Sequence, residues 1–220
     1  MTPHKSKVFI VDDHPLVREW LTNLIHQQPD FLVCGEAEDA ASALRSTLSL
    51  RPDVVIADIS LKEGSGIELI KNIKDQLPSV AIVVFSMHDE NIYAERVIRA
   101  GAMAYIMKRE TTRRIIDAIR TVLEGKLYVS EHLTQLFAKK FLDGSPARTR
   151  SPIEQLSDRE LEVFQLLGEG FETRQIADSL HISMKTVQAY CARIKEKLRI
   201  DTALELLREA IRWHEEQRPK

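Results

Sequence analysis

Residues 53–58, DVVIAD, decide the fold of the first half of this chain. The run VVIA is apolar, rich in β-branched residues and bounded by Asp on both sides, which is typical of a short parallel strand buried on both faces. Similar runs occur at residues 8–11 (VFIV) and 80–85 (VAIVVF). Together they predict a parallel sheet whose two faces are covered by helices.

The same alternation extends over residues 1–124. Strands are predicted at residues 8–11, 32–36, 54–58, 80–85 and 104–107. Amphipathic helices are predicted near residues 15–28, 40–50, 66–76, 90–99 and 112–124. We therefore expect an α/β domain with a (βα)5 doubly wound parallel sheet, whose ligand site lies at the carboxyl ends of the strands.

Beyond residue 124 the pattern becomes helical. A connector is predicted over residues 125–155, with a helix around 130–142 and a flexible linker rich in Gly, Pro, Ser and Arg over 143–154. An all-α domain is predicted over residues 156–220. Its helices are expected at residues 158–170, 174–180, 184–198 and 202–215. A capping box formed by Ser157 and Glu160 is predicted to begin the first, and Thr173 and Ser183 are predicted to cap the second and third.

Composition limits the function classes. Of 220 residues, 44% are hydrophobic and 29% charged, as in ordinary soluble proteins. The longest apolar run, residues 80–85, is far below the roughly 20 residues that span a membrane, and the apolar run before Asp12 is too short for a secretory signal. We expect a cytoplasmic protein. Cys34 and Cys191 are expected to be buried apolar side chains, without a disulfide or a zinc site.

Polar residues follow four of the predicted strands. They are Asp12 and Asp13 after the first, Asp58 after the third, Ser86 after the fourth and Lys108 after the fifth. A single Asp at a strand end is commonly a turn residue, but five convergent positions indicate a site. Three neighbouring carboxylates repel one another unless a cation is present, and a cluster of oxygen ligands suits Mg²⁺. His14, at the start of the first helix, is expected to be structural.

Because of these five residues, the segment 1–124 resembles a two-component receiver domain. Gly66, eight residues after Asp58, matches the family's loop glycine, and Tyr105 matches its switch aromatic. The resemblance implies that Asp58 is the phosphoacceptor and that the phosphoryl group draws Ser86 towards it, so that Tyr105 turns inward. It also implies that Mg²⁺ is held by Asp12, Asp13, Asp58 and the backbone carbonyl of Ser60. Lys108 would pair with the phosphoryl group. Lys62 stands where the family usually has proline. This difference affects the conformation of the loop after Asp58, but not the identity of the acceptor.

The predicted helix over 184–198 is amphipathic. Its apolar stripe is formed by Val187, Cys191, Ile194 and Leu198, and its opposite face carries Lys185, Gln188, Ala189, Ala192, Arg193 and Glu196. Gln pairs with adenine, Ala meets a thymine methyl group, and Arg binds guanine or phosphate. By spacing alone, a solvated face and a DNA-binding face are equally consistent with this pattern.

Residues 156–213 are similar to the LuxR-type (NarL/FixJ) helix-turn-helix. The resemblance rests on Leu156-Ser157-x-Arg159-Glu160, Ile176-Ala177, Thr186-Val187 and Lys197-Leu198, among other positions. It implies a homodimer that binds double-stranded DNA and controls transcription. The base-facing candidates are Gln188, Ala189, Ala192 and Arg193, and the phosphate candidates are Lys185, Lys195 and Lys197. The last helix, through Ala203, Leu206, Leu207 and Ala210, is either a dimer contact or domain core.

These features predict a response regulator, not an enzyme. It would accept a phosphoryl group on Asp58 from a histidine kinase and bind DNA in response. An aspartyl-phosphate hydrolase of the haloacid dehalogenase type would carry a second Asp two residues after the nucleophile, where this chain has Ser60. A regulator that is never phosphorylated is a further alternative, although the complete acceptor set argues against it.

Overall fold

The computed structural model describes residues 5–61, 64–110, 112–142 and 152–217. The chain divides into two compact units, residues 1–139 and 140–220. Among the helices in the described ranges, none is long and apolar enough to cross a membrane.

The first unit alternates strands and helices as predicted. Its elements are β1 (Ser6–Val11), α1 (Pro15–His26), β2 (Phe31–Ala37), α2 (Ala40–Leu50), β3 (Val54–Ala57), α3 (Gly66–Gln76), β4 (Ala81–Ser86), α4 (Glu90–Arg99), β5 (Ala104–Met107) and α5 (Thr112–Leu123). A further helix, α6 (Glu131–Leu142), begins in this unit. The strands form one parallel sheet in the order β2-β1-β3-β4-β5. The predicted (βα)5 fold is therefore confirmed.

Burial explains why these sequences form these strands. Every residue of β3 and β4 is buried, because both sheet faces are covered, and this requires the continuous apolar runs seen in the sequence. Short polar side chains start the helices: Asp39 accepts from the Ser42 amide at 2.8 Å before α2, and Asp89 accepts from the Asn91 amide at 2.7 Å before α4. The strand ends and helix starts consequently meet at one edge of the sheet.

The chain after α5 returns to the sheet. Tyr128 forms a parallel bridge to Ala104 of β5. The Tyr128 amide donates to the Met103 carbonyl at 2.8 Å, and the Tyr105 amide donates to the Tyr128 carbonyl at 3.2 Å. The first part of the predicted connector is thus hydrogen-bonded to the edge strand.

The second unit is helical. Its elements are a short 3-10 helix (Pro152–Gln155), α7 (Asp158–Gly168), α8 (Thr173–Ser179), α9 (Met184–Leu198) and α10 (Ala203–Gln217). The 3-10 helix includes residues 152–154, which were predicted to belong to a flexible linker over 143–154. The rest of that linker, residues 143–151, lies outside the described residues. The domain boundaries at 124 and 155 stay a prediction.

Two of the three predicted N-caps are confirmed. The Ser157 hydroxyl accepts from the Glu160 amide and the Glu160 carboxylate accepts from the Ser157 amide, which completes the capping box of α7. Ser183 accepts from the Thr186 amide at 3.1 Å and caps α9. The Thr173 prediction was wrong: Glu172 is the cap residue, and its amide donates to the Gln175 side chain at 2.8 Å.

Candidate functional site

The first candidate site lies where β1 and β3 end side by side. Val11 and Ala57 are register partners, so the residues that follow them, Asp12 and Asp58, are brought together. The Asp58 amide donates to the Val11 carbonyl at 2.9 Å. Asp12 is 1% exposed and Asp58 2% exposed, so two carboxylates are buried at one sheet edge. Such a pair needs a cation nearby.

Lys108 supplies that positive charge. Its Nζ lies 2.7 Å from Asp12 Oδ2 and 2.7 Å from Asp58 Oδ2. Burial alone would lower the pKa of Lys108, but the facing carboxylates of Asp58 and Asp12 raise it above its ordinary value. The Lys108 amide donates to the Ser86 carbonyl at 2.7 Å, which places the side chain at the end of β5. The ammonium group therefore stays charged between the two carboxylates.

Asp13 and His14 complete the acidic end of β1. The His14 amide donates to Asp12 Oδ1 at 2.9 Å, and His14 Nδ1 lies 2.7 Å from Asp13 Oδ1. That contact lacks hydrogen-bond geometry, so the buried Asp13 Oδ1 accepts no hydrogen bond within the described part of the chain. His14 was expected to be only structural, and the acidic cluster was expected to contain oxygen ligands with no His nearby. The structure instead brings the His14 imidazole to Asp12 and Asp13.

The residues at this edge fit a divalent metal ion. Asp12, Asp13, His14 and Asp58 each offer one ligand atom, and these atoms lie within 4.8 Å of one another. Asp13 Oδ1, which accepts no hydrogen bond among the described residues, is a candidate ligand atom for a cation. Three carboxylates favour a hard ion such as Mg²⁺. Ser60 lies beside them, and its amide donates to Asp58 Oδ1 at 3.1 Å.

Ser86 and Tyr105 are both buried beside this cluster. Ser86 is 0% exposed and ends β4. The Tyr105 hydroxyl donates to the His88 carbonyl at 3.0 Å, and burial together with the charges of Tyr93, Asp58 and Asp89 raises the pKa of Tyr105 well above its ordinary value. The ring is 2% exposed, so Tyr105 is buried at this edge of the sheet, and its movement on phosphorylation stays a prediction.

Gly66 is required by close approach. A Cβ atom at this position would lie 2.4 Å from the Asp58 carbonyl oxygen and 2.4 Å from Ile59 Cα. The start of α3 can therefore pack against the strand end only without a side chain. Lys62, where the family usually has proline, lies outside the described residues.

His88 is a site residue that sequence reasoning missed. Its imidazole Nε2 contacts the Ser60 hydroxyl, its ring packs against Tyr93 with 4.6 Å between ring centroids, and its amide donates to Ser86 Oγ at 3.4 Å. The signal was its place two residues after Ser86, in the loop that opens onto the same sheet edge. His88 consequently links the Asp58 loop to the start of α4.

The second candidate site is one face of α9. All six residues predicted to face away from the core are exposed: Lys185, Gln188, Ala189, Ala192, Arg193 and Glu196. Val187 and Ile194 are buried, whereas Cys191 and Leu198 are half-buried. α8 and α9 thus have the layout of a helix-turn-helix, with the second helix offering an open surface of hydrogen-bonding, small and basic residues. Met184, the first residue of α9, is 52% exposed on the same side and was not predicted.

The two lysines near the end of α9 make contacts within the domain, and their role as phosphate contacts stays a prediction. Lys197 Nζ lies 2.6 Å from Oε2 of buried Glu160 and 3.2 Å from the Gln155 carbonyl. Burial raises the pKa of Glu160, but Lys197 and the Ser157 amide outweigh it and lower the pKa below its ordinary value. The ammonium group of Lys197 is therefore paired within the domain, although its side chain is 36% exposed. Lys195 is half-buried, with Nζ 3.5 Å from the Asp201 carbonyl.

The predicted dimer face of α10 combined two different faces. Leu206 and Ala210 are buried, and Trp213 packs against Phe164 of α7 with 5.6 Å between ring centroids. A separate row remains open, formed by Leu204, Leu207 and Ile211, which are 57%, 36% and 38% exposed. The spacing of this row places it on one side of the helix.

Known proteins resemble both units. A family described as response regulator receiver domain matches residues 8–120, and one described as bacterial regulatory proteins, luxR family, matches residues 154–210. The oxygen regulatory protein NreC of Staphylococcus aureus is 34% identical over 210 residues, which cover 94% of this chain and 97% of NreC.

Solved structures of the response regulator RcsB from Salmonella are also similar. One, which concerns conformational dynamism for DNA interaction, has a TM-score of 0.71 and 28% identity, and covers 95% of this chain and 98% of RcsB. Another shows RcsB bound to promoter P1flhDC in the presence of phosphomimetic BeF3⁻. Its TM-score is 0.67 at 28% identity, and the match covers 94% of this chain and 98% of RcsB. A structure of two RcsB dimers bound to two parallel DNAs is similar as well. Its TM-score is 0.65 at 27% identity, and the match covers 93% of this chain and 98% of that chain.

Proposed function

This chain belongs to the two-component response regulators that carry a LuxR-type DNA-binding domain, and we propose that it regulates transcription through phosphorylation of Asp58 by a histidine kinase. One observation carries the assignment of the acceptor: Lys108 Nζ lies equally close, at 2.7 Å, to the buried carboxylates of Asp58 and Asp12. A nucleophilic carboxylate beside a charged ammonium group and a metal-ligating acid is the arrangement that phosphoryl transfer requires.

The chemistry follows from the two oxygens of Asp58. A carboxylate oxygen attacks the phosphorus of the kinase phosphohistidine, the P–O bond forms, and the P–N bond breaks with its electron pair passing to the imidazole. Asp12, Asp13, Asp58 and the Ser60 carbonyl would hold Mg²⁺, which when bound neutralises charge on the phosphoryl oxygens. Lys108 neutralises the same charge from the β5 side. The Ser60 amide, which donates to Asp58 Oδ1, orients the carboxylate.

Ser86 is the residue that detects the phosphoryl group. Its hydroxyl is buried one strand away from Asp58 and accepts from the His88 amide at 3.4 Å. Three new phosphoryl oxygens are strong acceptors, so the hydroxyl turns towards them and donates. Because the Tyr105 hydroxyl is bonded to the His88 carbonyl, movement of this loop reaches the Tyr105 ring.

The output is DNA binding by α9 as a homodimer. Gln188, Ala189, Ala192 and Arg193 are the base-facing residues, and Lys185 and Lys195 are the phosphate contacts, because these side chains lie on or beside the open face of the helix. Lys197 is a weaker candidate, since its ammonium group pairs with Glu160. Binding to chromosomal DNA would place the protein in the cytoplasm. We propose no hydrolase role, because Ser60 lacks the carboxylate such chemistry needs.

Uptake of beryllofluoride tests the proposal. Wild-type protein with Mg²⁺ should bind beryllofluoride at one site, detected by ¹⁹F NMR, and should then bind DNA more tightly. Asp58→Asn should lose the bound ¹⁹F signal, while Asp53→Asn, which changes an Asp at the opposite end of β3, should retain it. Equal uptake by wild type and Asp58→Asn would disprove the acceptor assignment.

A further inference from the structure

The start of α6 is bonded to the start of α4. The Ser130 hydroxyl donates to Glu90 Oε1 at 2.9 Å and accepts from the Leu133 amide at 3.1 Å. His132 Nε2 lies 2.8 Å from Asn91 Oδ1, which forms a second contact between the same two helix starts. Leu133 is 1% exposed, so the first turn of α6 is anchored by packing as well as by polar contacts.

The start of α4 is in turn bonded to the phosphoryl site. Ser86 Oγ accepts from the His88 amide, the His88 carbonyl accepts from the Tyr105 hydroxyl, and Asp89 caps α4. Glu90 is the next residue. A continuous series of contacts therefore leads from Ser86, which lies beside Asp58, to Ser130, which begins α6.

Glu90 is held incompletely. The residue is only 7% exposed, and its second oxygen, Oε2, has no hydrogen-bond partner among the residues that the structure describes. A buried acceptor without a partner costs free energy that water would restore on exposure. Opening the contact with Ser130 would let water reach Oε2, which offsets part of the free energy lost with that hydrogen bond.

We propose that the Glu90–Ser130 hydrogen bond is a restraint that holds α6 on α4 while Asp58 is unphosphorylated, and that phosphorylation releases it. The proposal rests on the function proposed above and assigns a means of regulation to the same site. When the Ser86 hydroxyl turns to the phosphoryl group, the His88 amide loses its acceptor and residues 87–89 move. Glu90 moves with them, Ser130 loses its partner, and α6, which leads along the chain to the DNA-binding domain, is released.

Ser130→Ala in the full-length chain tests the restraint. The DNA probe is a duplex selected from a random-sequence pool with wild-type protein loaded with beryllofluoride. We expect the unloaded variant to bind this duplex about two- to tenfold more tightly than unloaded wild type, the range of one lost hydrogen bond. Because beryllofluoride and DNA both favour the released state in this proposal, the variant should also bind beryllofluoride more tightly than wild type does. A variant that had merely lost stability would bind neither ligand more tightly.

Two further variants make the test specific. Glu90→Ala should have the same effect as Ser130→Ala, and the double variant should add nothing, because both changes break one contact. Gln135→Ala changes an exposed residue one turn further along α6 and should behave as wild type. Amide hydrogen exchange over residues 131–139 should accelerate when beryllofluoride is added to wild type, and should already be fast in unloaded Ser130→Ala.

The outcomes separate this inference from the proposed function. If wild type takes up beryllofluoride and then binds DNA more tightly, but Ser130→Ala matches wild type in both affinities, the restraint is disproved and the proposed function stands. Weaker DNA binding by Ser130→Ala would likewise overturn it. If wild type itself fails to take up beryllofluoride, both proposals fail.

Discussion

At the scale of single residues, the acidic edge is defined by its charge balance. Asp12, Asp13 and Asp58 carry three negative charges, and Lys108 is placed between two of them. A phosphoryl group on Asp58 would add negative charge. Lys108, whose ammonium group has three donors, could pair with that group as well as with Asp12. A metal ion held by the three carboxylates would add further positive charge at the same edge.

Replacing Lys108 with Met should change three measurements in different directions. The variant should lose about 3–5 kcal/mol of unfolding free energy without metal, because two buried carboxylates are left without a cation. Mg²⁺ should bind more tightly, because a competing cation is gone, and beryllofluoride should bind more weakly, because the anion loses a partner. Denaturant titration, Mg²⁺ titration and ¹⁹F NMR measure these effects.

The pH dependence of this variant has a defined sign. The pKa of Lys108 is raised above its ordinary value of 10.5, so the stability it contributes is fully present below pH 10.5 and is lost as the pH rises through the folded-state pKa. The stability difference between wild type and Lys108→Met should therefore be constant from pH 6 to 9 and shrink at higher pH. Lys126→Met, at an exposed pair with Glu124, is the control and should leave ligand binding unchanged. A difference that grew with pH would contradict the assignment.

At the scale of elements, strands and helices could be predicted closely because their signals are local. β3 and β4 are continuous apolar runs, and α9 begins at a Ser that caps it, so their limits follow from short stretches of sequence. The contact between Glu90 and Ser130 could not be predicted, because it joins neutral and acidic residues 40 positions apart.

The role of Lys197 could not be assigned from its residue type. A basic residue near a recognition helix fits a phosphate contact and an internal ion pair equally well by type. Its spacing carried the decisive signal, because Lys197 is three residues after buried Ile194 and so lies towards the core side of α9. The same reasoning separates the two rows of α10, where Leu206 and Ala210 face α7 while Leu207 does not.

The Lys197–Glu160 pair should stabilise the second unit rather than bind DNA. Lys197→Met should lower the unfolding free energy by about 1.5–3 kcal/mol, the usual value of a hydrogen bond to a charged group. The pKa of Glu160 is lowered, so its contribution is present above its ordinary value of 4.5 and is lost as the pH falls through the folded-state pKa. The stability difference should accordingly be largest near neutral pH and shrink below pH 4.5.

Lys185→Ala is the matched comparison for DNA binding. Lys185 is exposed at the start of α9, so its loss should reduce the slope of log affinity against log salt concentration by about 0.9. Lys197→Met should leave that slope unchanged. An equal reduction in both variants would show that Lys197 contacts phosphate after all.

At the scale of the whole molecule, the DNA recognition proposed above uses two copies of α9. A single helix-turn-helix contacts one half-site, and pairing two of them through a two-fold axis brings the same surface of each copy together. On α10 the exposed apolar row of Leu204, Leu207 and Ile211 suits such a self-complementary contact, while the opposite row is already buried in the domain.

Charge placed in this row should abolish cooperative binding while leaving each copy intact. In a variant carrying both Leu207→Glu and Ile211→Glu, repulsion and desolvation oppose pairing, so affinity for a duplex with two half-sites should fall at least about tenfold, towards that for a single half-site. Affinity for the single half-site and beryllofluoride uptake should match wild type, because neither α9 nor the Asp58 site is touched. Gel shifts with both duplexes and sedimentation with beryllofluoride measure this. A variant that still sedimented as a dimer on the two-half-site duplex would place the contact elsewhere, whereas equal loss on both duplexes would mean that the row supports α9 rather than a second copy.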